Sequence, residues 1–160
     1  MKKIPLTKGL CAIVDDCDYG YLSQWKWCCN SSGYAVRSQN IGTFNGKQKT
    51  KQIYMHRLLC ETHDKVDHIN GNTLDNRRSN LRKCVNQENG RNRRKQFGKT
   101  SSRFKGVYFN KLAKKWRAHI KSGDGSVNLG YFREECDAAL AYNFAALEYH
   151  GSFARYNEAI

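Results

Sequence analysis

The feature that most constrains this chain is the run Val66-Asp67-His68-Ile69-Asn70-Gly71-Asn72, closely followed by Asp75-Asn76-Arg77-Arg78-Ser79-Asn80-Leu81-Arg82. An acid and an imidazole stand side by side on a strand-like piece, Lys65 to His68, ahead of an Asn- and Gly-rich connection. Such residues turn the chain, because Asx side chains bond nearby backbone and glycine accepts positive φ. The connection, Ile69 to Asn76, should therefore open into a new element. Leu81 and Val85 are four apart and share one face of a helix expected from about Ser79 to Asn89, with Ser79 as cap or first-turn residue. A return of that length can bring Asn89 back beside Asp67. Asn80 can then hydrogen-bond backbone around the loop after His68 and fix its shape. The plainer alternative is that both asparagines only cap and solvate the helix.

Residues 1–55 alternate short apolar pieces (Leu10 to Val14, Tyr21 to Trp27, Tyr34 to Val36, Ile53 to Met55) with turns, among them a hairpin signal at Asn45-Gly46. This reads as a small β-rich scaffold leading into Tyr54 to Leu59, with Trp25 and Trp27 in its core. Gly90 to Ser102 has no apolar period and reads as a basic linker. Beyond it, Arg103 to Phe109, Lys115 to Lys121 and Val127 to Phe132 are strand-like, with a turn at Gly123-Asp124-Gly125. In the second of these, Trp116, Ala118 and Ile120 alternate with Lys115, Arg117, His119 and Lys121, so one face is apolar and the other polar. Glu134 to His150 reads as a helix whose alanines let it lie close on a sheet, with Gly151 just past its end. The expected class is α+β, with a first domain over 1–92, a linker over 93–100, and a three-stranded antiparallel sheet packed on one helix over 101–160.

Net charge is +14 and is unevenly placed. From Arg77 to Arg117 there are 15 Lys/Arg and one acid, Glu88, and the remainder holds 13 of each sign. A one-sign block between folded elements is an electrostatic footprint for nucleic acid. No apolar run approaches the roughly 20 residues that span a bilayer, and Met1-Lys2-Lys3 leads into no secretory segment, so a cytoplasmic protein is expected. The seven cysteines then read as free, buried thiols. Cys28-Cys29 and Cys60-x-x-His63 lack the paired spacing of a zinc ribbon.

Hydrolysing a phosphodiester needs a hard cation at the phosphate and a base for water. Asp67 can supply a charged ligand, His68 the base and Asn89 a neutral oxygen ligand, while Arg77, Arg78, Arg82, Arg91, Arg93, Arg94 and Lys95 grip the backbone near the cut. Mg2+ is the expected ion, with Mn2+ as a substitute. The C-terminal sheet offers Arg103, Lys105, Tyr108, Asn110, Lys115, Arg117, His119, Lys121 and Asn128 to double-stranded DNA. A sheet can enter the major groove, where each base pair shows a distinct pattern. One metal site per chain suits nicking by a monomer or weak dimer. His56 beside Arg57 is more simply a packing residue than a second active-site histidine. The rival reading is a DNA-binding regulator on a degenerate nuclease scaffold.

His56-Arg57-Leu58, the 66–72 run and the 75–82 run resemble the HNH (ββα-metal) nucleases, in particular the phage and intron homing-endonuclease branch whose last ligand is asparagine. That resemblance implies a metal on Asp67 and Asn89, a base at His68 and a loop-bracing Asn80. Phe104 to Tyr108, Trp116 to Ile120, Leu129 to Phe132, Asp137 to Tyr142 and Gly151 to Ala154 resemble the AP2/ERF DNA-binding domain. It implies a sheet laid in the major groove, though Tyr108 and Asn128 stand where plant members carry base-reading arginines and tryptophans.

Overall fold

The computed structural model describes residues 1–95, 98, 100–123 and 125–158, in two compact units, Met1–Asn86 and Gln87–Ile160. Both mix helix and strand, as an α+β class requires.

In the first unit β1 (Lys2–Pro5) pairs antiparallel with β2 (Cys11–Val14), and α1 (Asp16–Leu22) follows with acids in its first turn, where the helix dipole favours them. Tyr21 to Trp27, expected as a β piece, is corrected: Tyr21 and Leu22 end α1. The Trp27 indole then donates to the Leu22 carbonyl at 2.8 Å and seals the helix end into the core. A two-residue strand, β3 (Cys28–Cys29), covers only Ala35 and Val36 of β4 (Ala35–Phe44), which runs into β5 (Lys47–Tyr54). Asn45 and Gly46 take φ of 48° and 70°, the two left-handed residues of the expected hairpin turn. After α2 (Met55–Leu59), β6 (Lys65–His68) pairs antiparallel with β7 (Leu81–Cys84). Ile4, Val14, Leu22, Trp27, Met55, Val66 and Leu81 share one buried cluster, so every layer of the unit leans on the β6–β7 hairpin or its neighbours.

The helix expected from Ser79 to Asn89 is replaced by three elements. Arg78–Asn80 is a 3-10 turn, Leu81–Cys84 is β7, and α3 spans Asn86–Asn92 in the second unit apart from its first residue. Leu81 and Cys84 are buried but Val85 is 60% exposed, so the i, i+4 pair was no helical stripe. Pairing with β6 satisfies backbone groups that a short isolated helix would leave in water.

In the second unit β8 (Val107–Asn110), β9 (Lys115–Ser122) and β10 (Gly125–Phe132) form an antiparallel sheet in the order β10-β9-β8. Asp124 of the expected turn lies outside the described residues, as do Gln96, Phe97 and Lys99 of the expected linker. Ala118 and Ile120 point inward onto α4 (Glu135–His150), whose Ala138, Ala139, Ala145 and Ala146 are buried against them and beside Phe104 and Val107. The strand expected from Arg103 starts at Val107, because Gly106 sits at φ 74° and breaks the extension. A Cβ there would strike the Tyr142 ring and lie 2.6 Å from the His119 carbonyl oxygen. Gly106→Ala should therefore destabilise this unit by about 3 kcal/mol or more, combining overpacking with left-handed strain. Hydrogen exchange across β9 and α4 should report the loss while β6 and β7 stay protected.

Candidate active site

Asp67 and His68 close β6, 5% and 4% exposed. Asp67 lies directly opposite Arg82 in the β6–β7 ladder. The guanidinium donates to Asp67 Oδ2 from Nε at 2.8 Å and Nη2 at 2.6 Å. A buried carboxylate is expensive unless a cation and hydrogen bonds compensate it, and Arg82 does both.

The connection from Ile69 to Asn80 is built almost wholly from polar bonds. Asn80 Oδ1 accepts from the Asn70 amide at 3.0 Å and its Nδ2 donates to the Asp75 carbonyl at 2.7 Å, so Asn80 braces the His68 loop as its spacing implied. The Asn70 side chain donates to Asp75 Oδ2 at 2.8 Å, and Arg77 binds the same carboxylate from Nε and Nη2 at 2.8 and 2.6 Å. Arg77 thus holds the Asp75 carboxyl below its usual range. Arg78 grips both Asp18 oxygens at 2.8 Å, and its amide donates to Asp15 Oδ2 at 2.8 Å, which fastens the loop to α1. Ile13 of β2 brackets it, donating to the Leu74 carbonyl and accepting from Asn76 N, each at 2.8 Å.

A second histidine joins the centre. His56 on α2 is buried, its ring centroid 5.2 Å from that of His68. Tyr34 stands 5.1 Å from His56 and 5.9 Å from His68, and Tyr54 5.5 Å from His56. Burial, with the neighbouring His68 and Arg57, pushes His56 down to about 3. Burial also lowers His68, opposed by Asn76 and by the Asp67 and Asp75 charges. Both imidazoles are neutral at physiological pH, and neutral His68 can accept a proton.

The other expected site residues are scattered in role. Arg77, Arg78 and Arg82 are ion-paired within the first unit, to Asp75, Asp18 and Asp67. Asn89 lies half-buried on α3, in the second unit. Lys105, half-buried, donates to the Arg93 carbonyl at 2.7 Å and also to that of Arg91, while burial drops it to about 8. Arg93, Arg94, Arg103, Lys115 and Lys121 are exposed, and Arg91 and Lys95 half-buried. On the sheet face opposite α4, Arg117 donates to Tyr108 Oη at 2.7 Å and Asn128 Oδ1 at 3.0 Å, with His119 5.5 Å from the Tyr108 ring and Asn110 paired to Lys115. The cysteines are free thiols, but Cys11, Cys17 and Cys136 are exposed, so only Cys84 fulfils the expectation of full burial. Among the described residues no three His, Cys, Asp or Glu side chains cluster as a metal cage, and no helix is long and apolar enough to cross a membrane. His56 was visible in the sequence only as a histidine beside an arginine. Asp18 carried no signal, since its partner is 60 residues away.

A carboxylate and a neutral imidazole at the end of one strand, with a cation across the ladder, have the capacities that phosphodiester hydrolysis uses: ion binding and proton acceptance. No protein-family model matches the chain. It is 33% identical over 156 residues, 94% of its length and 76% of the relative's, to an uncharacterized HNH endonuclease of Acanthamoeba polyphaga mimivirus. The chain belongs to the HNH endonuclease family.

An unfolded imidazole takes up its proton near pH 6.5, whereas folded His56 resists until about 3. Between those values the unfolded state binds more protons, so stability should fall as pH falls through that window. His56→Gln should remove up to about 2 kcal/mol of the loss between about pH 6.5 and 4.5, read as a flatter pH dependence of the denaturant midpoint.

Proposed function

We propose that this protein is a magnesium-dependent endonuclease of the homing type, cutting double-stranded DNA one strand per active centre. One observation carries the reading: Asp67 and a neutral His68 are the last two residues of β6, directly before a connection locked by Asn80. His68 serves as the general base that takes the proton of the attacking water. Asn80 holds the loop so that the imidazole keeps its direction, and Arg82 fixes the Asp67 carboxylate against rotation.

The donor chemistry fits a hard ion. Asp67 presents a carboxylate, the ligand type that Mg2+ prefers while keeping several waters, and Mn2+ can replace it. When bound, the ion would polarise the scissile phosphate and stabilise charge on the leaving oxygen. The second unit serves as the targeting module, an AP2/ERF-like sheet whose Arg117, Tyr108 and Asn128 form one hydrogen-bonded group facing away from α4. Its neighbours Lys115, His119 and Lys121 add phosphate contacts, with Arg93, Arg94 and Arg103 exposed beyond the sheet.

Supercoiled plasmid tests this directly. The protein should nick it with Mg2+ and not with a chelator. His68→Ala should slow single-turnover cutting about a hundredfold or more, the usual scale for a lost general base, with duplex Kd unchanged. Asp67→Asn should abolish cutting at every Mg2+ concentration. Binding without cutting under any divalent ion would make the chain a DNA-binding regulator instead.

A further inference from the structure

We propose that the β4–β5 hairpin is a second DNA-reading element, a ribbon whose uncharged polar face reads base edges in the major groove while its lysines bind the flanking phosphates. The inference rests on the reading above that the substrate is duplex DNA.

The hairpin is far longer than the fold needs. Ala35 and Val36 are buried, and Ile53 and Tyr54 half-buried at its root, but all residues from Ser38 to Gln52 are exposed. Past Val36 no strand among the described residues covers the outer edge of β4. Two-stranded hairpins are marginal in water, and ordering each residue costs about 1–2 kcal/mol, so an arm that buries no core is expected to have a use.

Its two faces differ in chemistry. The register puts Arg37 opposite Ile53, Gln39 opposite Lys51, Gly42 opposite Lys49 and Phe44 opposite Lys47. Lysines at alternate positions of β5 project from this side. Arg37, at the root, is held 4.4 Å over the Trp25 ring. On the other side Ser38 faces Gln52, Asn40 faces Thr50 and Thr43 faces Gln48, six hydroxyl or amide side chains without one charge. Asn40 Oδ1 accepts from the Gly42 amide at 2.9 Å and shapes the bulge, which leaves Ser38, Thr43, Gln48, Thr50 and Gln52 as readers. Amides and hydroxyls are the groups that discriminate base edges, and a two-stranded ribbon fits a major groove about 12 Å wide.

Charge selects a polyanion. From Tyr19 to Cys60 the chain has six Lys or Arg and no Asp or Glu. Lysines on an open edge also discourage strand-to-strand aggregation. That would account for the lysines, but neither for the length of the arm nor for the confinement of charge to one face.

Two full-length variants decide it, with wild type beside them, using a pool of randomised duplexes and a chelator so that nothing is cut. Lys47→Ala/Lys49→Ala/Lys51→Ala should reduce the salt slope of binding by about 2–3, near 0.9 per phosphate, and leave the selected sequence unchanged. Gln48→Ala/Thr50→Val/Gln52→Ala should keep the slope and lose about tenfold or more discrimination at one or two adjacent base pairs. None of these side chains is in the core, so unchanged circular dichroism shows both fold. A wild-type slope and wild-type selection in both variants overturns the proposal. So does a flattened slope in the first with unaltered selection in the second, which would leave the ribbon a phosphate anchor only. Plasmid nicking by the wild type reads the nuclease assignment separately: no nicking with these binding results intact removes that assignment and keeps the ribbon.

Discussion

Arg82 and Asp67 face each other across two short strands, and the geometry of the centre follows from that pair. A buried carboxylate without its cation would cost several kcal/mol. Side chains alternate along a strand, so a slip of one residue between β6 and β7 would send Arg82 to the opposite face and strand Asp67. The ion pair therefore fixes register, and register places His68 opposite Leu81, with its backbone at the edge of the core. Twelve residues separate the two strands, and they need a template of their own. Asn80 provides it from within, through Asn70 and Asp75, while Arg78 on Asp18 and Ile13 on Leu74 and Asn76 tie the loop to α1 and β2.

The same burial that makes Asp67 depend on Arg82 keeps the histidines neutral. His56, His68, Tyr34 and Tyr54 pack ring to ring, which removes water from both imidazoles and disfavours their charged forms. At His68 desolvation outweighs the pull of Asn76, Asp67 and Asp75 and lowers the imidazole from its ordinary value. Stability and chemistry are joined at this point. The packing that desolvates His68 also makes the unit acid-sensitive through His56.

What could be read from the sequence was local. Lys65 to His68 as a strand, Asn45-Gly46 as a turn, the loop-bracing Asn80 and the alternation through Trp116, Ala118 and Ile120 all rest on near neighbours, and the structure has each of them. β7 was misread because four residues carry no period that separates a strand from one helical turn, and Val85 supplied a false stripe. The duties of Arg78 and Arg82 were hidden because their partners lie 60 and 15 residues away. His56 reaches His68 only through the placing of α2 against β6, which no spacing reveals.

Charge shows the same gap between chain and surface. Counted along the sequence, the whole cationic excess falls between Arg77 and Arg117, as if that stretch alone met the nucleic acid. In the folded protein Arg77, Arg78 and Arg82 are matched by Asp75, Asp18 and Asp67, and Lys105 is turned onto backbone carbonyls. Those cations hold carboxylates and backbone carbonyls within the fold. Lys47, Lys49 and Lys51 lie outside that stretch, and they stand exposed on a strand with no acid on either side of the hairpin. Counterion release depends on uncompensated charge that a phosphate can reach. By that measure Lys47, Lys49 and Lys51 leave more uncompensated charge at the surface than the ion-paired Arg77, Arg78 and Arg82.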